Sequence, residues 1–280
     1  MKLVRVGEPG CERPAVLDRD GLLRDLSGVV SDIDAALLAD LSVLPDPASL
    51  PVLDAPVGLR YGPPLARPGK IVCVGLNYHD HARETGAEIP VEPIVFMKAP
   101  DTMVGPDDTV LVPRTSLATD WEVELAIVIG RTAAYLTADQ NPLDYVAGYA
   151  ISHDVSERDF QLSRGGQWDK GKNCATFNPF GPWLVTADEV PDPQALTLTL
   201  SVNGILRQNG STADMIFPVA FLVEYLSQFM TLHPGDVINT GTPAGVALGQ
   251  PEPKPYLRAG DTVELAISGL GGQRQTFADA

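Results

Sequence analysis

Proline and glycine punctuate this chain so often that neither a long helix nor a long unbroken strand fits between them. Gly 26 and Pro 25 together make 51 of the 280 residues, yet the chain keeps 44% apolar residues to build a core. That is above ordinary usage but below the roughly 25–30% typical of low-complexity chains. From Lys70 onward the apolar runs between breakers have strand length: Ile71–Val74, Ile94–Met97, Val110–Val112, Glu122–Ile129, Val146–Ile151, Leu196–Val202, Asp236–Thr240 and Thr262–Ile267. Helical patterning is confined there to Asn77–Thr85 and to Pro218–Phe229, where Phe221, Leu222, Tyr225, Leu226 and Phe229 follow a 3.6 period. Strands outnumber helices without regular alternation, which excludes a doubly wound sheet and predicts a mixed α+β, β-rich fold. The first third reads as strands at Lys2–Val6, Ala15–Leu17 and Leu22–Leu26, then a helix through Ala35–Leu38 capped by Ser31. Prolines at 45, 47, 51, 56, 63, 64 and 68 follow, a density refused by helix and central strand alike. They divide a small N-terminal domain, 1–68, from a catalytic domain, 69–280.

Charge narrows the partners. Lys+Arg 20 against Asp+Glu 36 gives a net charge of −16, which repels phosphate backbones and anionic membranes. No nucleic-acid or membrane partner is expected. Cys11, Cys73 and Cys174 are odd in number, far apart and in no CxxC pair, so they predict neither a disulfide framework nor a zinc knuckle. With no signal-like segment and no run of 18 apolar residues, the expected compartment is the cytoplasm.

The segment Asp120-Trp121-Glu122-Val123-Glu124-Leu125 is the most informative. As a strand it sends Glu122 and Glu124 to one face, followed there by Ala126 and Val128. A solvated strand face would explain two carboxylates, but these lead into apolar surface, and adjacent carboxylates repel unless a positive charge lies between them. The run Val146–Ile151 leads to Asp154 and Asp159 and adds a third acid. Oxygen ligands without His or Cys at motif spacing suit Mg²⁺ or Mn²⁺ better than zinc.

After the strand Ile71–Val74, Asn77 caps a helix on which His81 and Glu84 share a face. A carboxylate beside an imidazole raises its basicity and fixes its tautomer, as a general base for water requires, although i,i+3 pairs also occur as plain surface pairs. His79 reads as a surface residue. Lys172 lies in Trp168-Asp169-Lys170-Gly171-Lys172, ahead of a rigid loop Phe177–Pro182, where a lysine can neutralise substrate charge or is simply solvated. Thr240-Gly241-Thr242-Pro243 offers backbone N–H groups and hydroxyls as an oxygen nest, or is a tight turn.

Taken in order, these pieces resemble the fumarylacetoacetate hydrolase family. The motifs are G-x-N-Y-x-x-H-x-x-E at Gly75–Glu84, D-W-E-V-E-L at Asp120–Leu125, D-V-S-E-R-D-F-Q at Asp154–Gln161, and W-D-K-G-K at Trp168–Lys172. V-N-G at Val202–Gly204 with Asp214–Phe217, and T-G-T-P-A-G-V at Thr240–Val246, complete them. The resemblance implies a β-roll or sandwich catalytic domain with a small N-terminal α+β domain, and a homodimer. It implies one Mg²⁺ or Mn²⁺ on Glu122, Glu124 and Asp154, and no organic cofactor. It also implies His81 and Glu84 as the water-activating pair, Lys172 beside the metal, and Arg158, Gln161, Thr242 and Lys98 at the substrate. Within the family the chain looks most like hydrolases of 2,4-diketo-3-deoxy sugar acids, such as the L-rhamnonate and L-fuconate derivatives, and sequences named ureidoglycolate lyase. His153 in place of Asn, and Ala175 in place of Asp, depart from the pattern. The implied substrate is a small 2-oxo acid and the implied reaction is hydrolysis of the C3–C4 bond of an acylpyruvate to pyruvate and a carboxylic acid. Oxaloacetate decarboxylation, 2-hydroxyhepta-2,4-diene-1,7-dioate isomerisation and ureidoglycolate lysis are the alternatives on the same site. A binding or regulatory protein that keeps the site without turnover is the rival outside enzymes.

Overall fold

The structure is a computed structural model and describes every residue except 55 and 57. It is a strand-rich α+β fold. A sheet of 11 strands runs in the order Leu23–Asp25, Arg13–Leu17, Lys2–Val6, Asn178–Thr186, Val146–His153, Val123–Ile129, Val237–Asn239, Ile71–Gly75, Ile94–Lys98, with Tyr61–Gly62 and Met103–Val104 as side branches. Facing it is a five-stranded sheet of Ile205–Ser211, Thr197–Val202, Thr262–Ile267, Gly271–Asp279 and Val110–Val112.

The strand Val123–Ile129 lies at the centre, antiparallel to both Val146–His153 and Val237–Asn239. Its alternation works on two fronts. Val123, Leu125, Ile127 and Ile129 pack into the core shared with Leu198, Leu200, Val263 and Leu265 of the second sheet. Ala126 and Val128 point the other way, into a core with Ile71, Cys73 and Phe96 that also takes Leu26, Ile33 and Leu37 from the N-terminal segment. A strand buried on both faces reads as a continuous apolar run, as this one does. The face that leads from the acids into apolar surface is therefore a second core and not solvent.

Several local expectations change. The segment Phe177–Pro182, read as a rigid loop, falls from Asn178 onward in a nine-residue strand, Asn178–Thr186, between Lys2–Val6 and Val146–His153. It tolerates its prolines because pairing shifts register between Tyr149 and Ile151, opposite Gly181 at φ +123°. The first helix is Ala35–Ala39 and is capped by Asp34, whose carboxylate accepts from the Ala36 and Leu37 N–H groups, rather than by Ser31. The helix His79–Thr85 has no side-chain cap; Asn77 instead donates to the Phe217 and Thr240 carbonyls and accepts from Phe217 N–H. In the helix Val219–Ser227, Leu222 and Leu226 enter the core, whereas Phe221 and Tyr225 stack outward between Phe217 and Phe229. Cys11, Cys73 and Cys174 are all free. Among the described residues no helix is long and apolar enough to cross a membrane.

Ile127 is fully buried between the sheets. Ile127→Ala is expected to lower unfolding free energy in urea by about 2–5 kcal/mol; a loss under about 1 kcal/mol would contradict the two-sided burial of this strand.

Candidate active site

Two neighbouring strand ends converge on one buried cluster of charge. Glu122 immediately precedes the strand Val123–Ile129 and Glu124 lies within it, so pleating turns both to the same face. Asp154 follows the neighbouring strand, and its N–H donates to the Glu122 carbonyl, which fixes the register between them. One carboxylate oxygen from each of the three lies within 4.8 Å of the others, and all three residues are buried.

Three cations hold this cluster together from one side. Lys172 Nζ donates to Glu122 Oε2 at 2.6 Å and to Asp154 Oδ2 at 2.9 Å. Arg158 donates to Glu122 Oε1 at 2.7 Å, to Asp120 Oδ2 at 2.8 Å and to Gln161 Oε1 at 3.0 Å. Lys98 Nζ stands 2.8 Å from Asp154 Oδ1, but its three protons go to the carbonyls of Val155, Lys172 and Phe177. Asp154 Oδ1 thus has a positive neighbour without a hydrogen bond. Lys172 owes its position to a one-turn helix, Asp169–Lys172, clamped on the strand Ile94–Lys98: Met97 N–H donates to Asp169, and Asn173 donates back to the Met97 carbonyl. Gly171 permits this docking, since a Cβ there would lie 2.3 Å from the Glu157 carbonyl.

The electrostatics divide the two glutamates. Against the desolvation that burial imposes, Arg158 and Lys172 hold Glu122 well below the usual carboxylate range. Burial, reinforced by Asp154 and Glu122, pushes Glu124 well above it. Glu124 has the Gly241 N–H at 2.9 Å, but among the described residues no lysine or arginine is bonded to it. A divalent cation beside Glu124 would supply the missing charge. Three hard oxygen donors, one lacking a counter-charge and one with an unused lone pair, fit Mg²⁺ or Mn²⁺.

His81 lines the same cavity of about 180 Å³ as Glu122 and Glu124. His81 Nδ1 and Glu84 Oε1 are 3.6 Å apart, both buried and without another partner. The other Glu84 oxygen accepts from Gly245 N–H, and Asp80 accepts from Ala244 N–H. The threonine loop therefore does form a nest, but its N–H groups hold the chain's own carboxylates Glu124, Asp80 and Glu84.

His81, Lys172, Arg158, Gln161 and Thr242 all line the cavity with Glu122 and Glu124. Lys98 does not; it lies behind Asp154, and its proposed contact with substrate is replaced by support of that acid. Arg158 reaches the wall with its guanidinium engaged by Asp120, Glu122 and Gln161. The Thr242 hydroxyl donates to the Val123 carbonyl and accepts from Gln208. His153 is turned away, its Nδ1 against Gln275 Oε1 and its ring edge-on to Phe277, and Ala175 is exposed outside the cavity. Burial of the His153 ring depresses its pKa to about 4, so the imidazole is neutral there. Sequence reasoning passed over Asp120, which accepts from Arg158 and from the Ala247 and Leu248 N–H groups. It also passed over Gln208, which joins Val123 N–H to Thr242. Asp120 sits in the same acidic block, so its signal was present; Gln208 carries none.

This architecture and site have relatives. Residues 70–278 match the fumarylacetoacetate (FAA) hydrolase C-terminal family, and the chain belongs to that family. A protein of Burkholderia multivorans whose name goes no further than a provisional "hydrolase" is 51% identical over 98% of both chains. Among solved structures, a probable 2-hydroxyhepta-2,4-diene-1,7-dioate isomerase from Mycobacterium abscessus superposes with TM-score 0.84 at 36% identity, covering 100% of this chain and 99% of that one. Maleylpyruvate hydrolase from Sphingobium sp. SYK-6, in complex with manganese(II) and pyruvate, does so with TM-score 0.81 at 28% identity, covering 100% of both. The chain is thus an enzyme of the fumarylacetoacetate hydrolase family with an acidic site suited to a divalent metal.

Saturating Mn²⁺ is expected to raise the melting temperature of the wild-type protein and not that of Glu124→Gln. Without metal, Glu124→Gln should melt no lower than wild type, because the amide keeps the Gly241 contact and removes an uncompensated buried acid. Equal Mn²⁺ stabilisation of both proteins would remove Glu124 from the ligand set.

Proposed function

We propose that this enzyme hydrolyses the C3–C4 bond of an acylpyruvate-type 2,4-diketo acid to pyruvate and a carboxylic acid, with Glu122, Glu124 and Asp154 holding one Mg²⁺ or Mn²⁺. The observation that carries this reading is one cavity lined both by Glu122 and Glu124 of the unbalanced carboxylate cluster and by His81, whose Nδ1 has Glu84 3.6 Å behind it. The bound ion supplies Lewis acidity and a template for a carboxylate next to a 2-oxo group.

The chain's residues divide the remaining work. Glu84, fixed by Gly245, sets the orientation of the His81 imidazole and offsets the charge it gains on taking a proton from water. The hydroxide so formed attacks the C4 carbonyl. When C3–C4 breaks, its electron pair stays with C3 of the pyruvate fragment, beside the Lys172 ammonium, and the proton held by His81 returns to C3. Gln161, whose Oε1 is taken by Arg158, has its amide nitrogen left for substrate oxygen. Arg158 and Lys98 keep the acids in place, and Thr242 shapes the wall.

Oxaloacetate decarboxylation, isomerisation of an unsaturated diacid and ureidoglycolate cleavage need the same acids but no activated water, so the His81–Glu84 pair is what favours hydrolysis. The Phe217–Phe221–Tyr225–Phe229 ladder, with Phe229 66% exposed, supports a homodimer that covers it. Residues 1–68 are assigned packing and no chemistry.

His81→Ala is expected to lower acylpyruvate hydrolysis by roughly 100-fold or more while Mn²⁺ binding is retained. Wild-type hydrolysis in that variant would remove His81 as the base, and turnover that survives thorough chelation would remove the metal.

A further inference from the structure

The cavity has two chemically different ends. Glu122, Glu124, His81, Lys172 and Gln161 make up the polar part of the lining, here the inner end, and Leu76, Ala87, Phe96, Leu162, Trp168 and Leu248 the apolar part, here the outer end; the two meet where Lys172 Nζ lies 4.9 Å from the centre of the Phe96 ring. Phe96 and Trp168 meet at 5.5 Å with their rings inclined by 59°, forming an aromatic corner. Gly75 makes that corner possible, because a Cβ there would lie 2.4 Å from the Trp168 ring. The indole is thereby set down on the strand end that leads to the His81 helix.

What this outer end lacks is as informative. Among the described residues, the only lysine and arginine lining the cavity are Lys172 and Arg158, both engaged by acids at the inner end. Its only hydroxyls are those of Thr85, which donates to the His81 carbonyl at 3.0 Å, and Thr242, which donates to Val123. A second carboxylate on the substrate would lose its water without gaining a cation, and a polyhydroxylated tail would lose its hydrogen bonds without replacement. Apolar carbon loses nothing and gains contact with two aromatic rings.

Resting on the acylpyruvate reading above, we infer that the group beyond C4 is uncharged and apolar, a short alkyl chain or an aryl ring, and that Trp168, Phe96 and Leu162 determine this specificity. This replaces the sugar-acid substrate that sequence resemblance implies. The 2-oxo acid head is recognised by the polar part of the lining, and the tail is selected by apolar walls whose one cationic neighbour, Lys172 beside Phe96, is already engaged by Glu122 and Asp154.

The experiment compares kcat/KM for butanoylpyruvate and succinylpyruvate, equal in length and differing only in a terminal methyl against a carboxylate, with acetylpyruvate as the reference. Butanoylpyruvate is expected to be preferred by roughly 100-fold or more, and Leu162→Arg should shift that ratio at least tenfold toward succinylpyruvate. Equal or better turnover of succinylpyruvate by the wild-type enzyme overturns the inference while leaving the acylpyruvate reading intact. If acetylpyruvate and both test compounds are all inert, the acylpyruvate reading fails. The tail is then judged by calorimetric binding of 2-oxohexanoate against 2-oxoadipate to the Mn²⁺-loaded protein: tighter 2-oxohexanoate upholds the apolar end, and tighter or equal 2-oxoadipate refutes it.

Discussion

The bridge made by the Lys172 ammonium between Glu122 and Asp154 is the interaction on which the site depends. Carboxylates this close repel one another, and burial removes the water that would screen them. With every group counted ionised, Asp120, Glu122 and Asp154 contribute −3 against +3 from the Lys98, Lys172 and Arg158 that pair with them, and the unpaired Glu124 beside them leaves −1. A divalent ion turns that balance to +1. The Lys172 ammonium stays charged because Asp154 and Glu122 outweigh the desolvation that opposes it. Replacing it would leave two buried acids facing each other.

That balance would also reconcile an acidic protein with the anionic substrate proposed for it. A net charge of −16 repels a 2-oxo acid at long range. Screening confines the repulsion to about 8–10 Å at physiological salt. Inside the cavity the sign is local, set by the cation set and the metal the acids recruit. The fold serves this by bringing two strand ends, a one-turn helix and the threonine loop to one place. Each is tied by a backbone hydrogen bond to a carboxylate or by a carboxamide to its neighbour, as Asn77 ties the His81 helix to the Phe217 and Thr240 carbonyls. Packing supports the chemistry from two sides: the second core fills the sheet face that continues from the acids, and the aromatic corner places Phe96 against the Lys172 ammonium.

Much of this was legible in the order of residues. Period-two spacing put Glu122 and Glu124 on one face, and the apolar residues after them pointed to burial, which the double-sided core explains. The i,i+3 spacing brought His81 and Glu84 together. What could not be read depends on long-range partners. Pro179 and Pro182 argued against a central strand, and only the register shift opposite Gly181 accommodates them. Ser31 and Asp34 are both good caps, and local composition does not choose between them. Lys98 and Arg158 are cations of the right kind, but whether they meet substrate or brace an acid is decided by neighbours 56 and 36 positions away, Asp154 and Glu122. The apolar outer end is built from residues spread between Leu76 and Leu248, with no motif to announce it.

Under the proposed function, water activated by His81, and not the divalent ion alone, carries the reaction. Hydrolysis of an acylpyruvate in ¹⁸O-labelled water with Mn²⁺ present tests it most directly. The account predicts one solvent oxygen in the carboxylic acid released, formed at the rate pyruvate appears and lost together with it in His81→Ala. Pyruvate released at the wild-type rate with no label in the acid would contradict it.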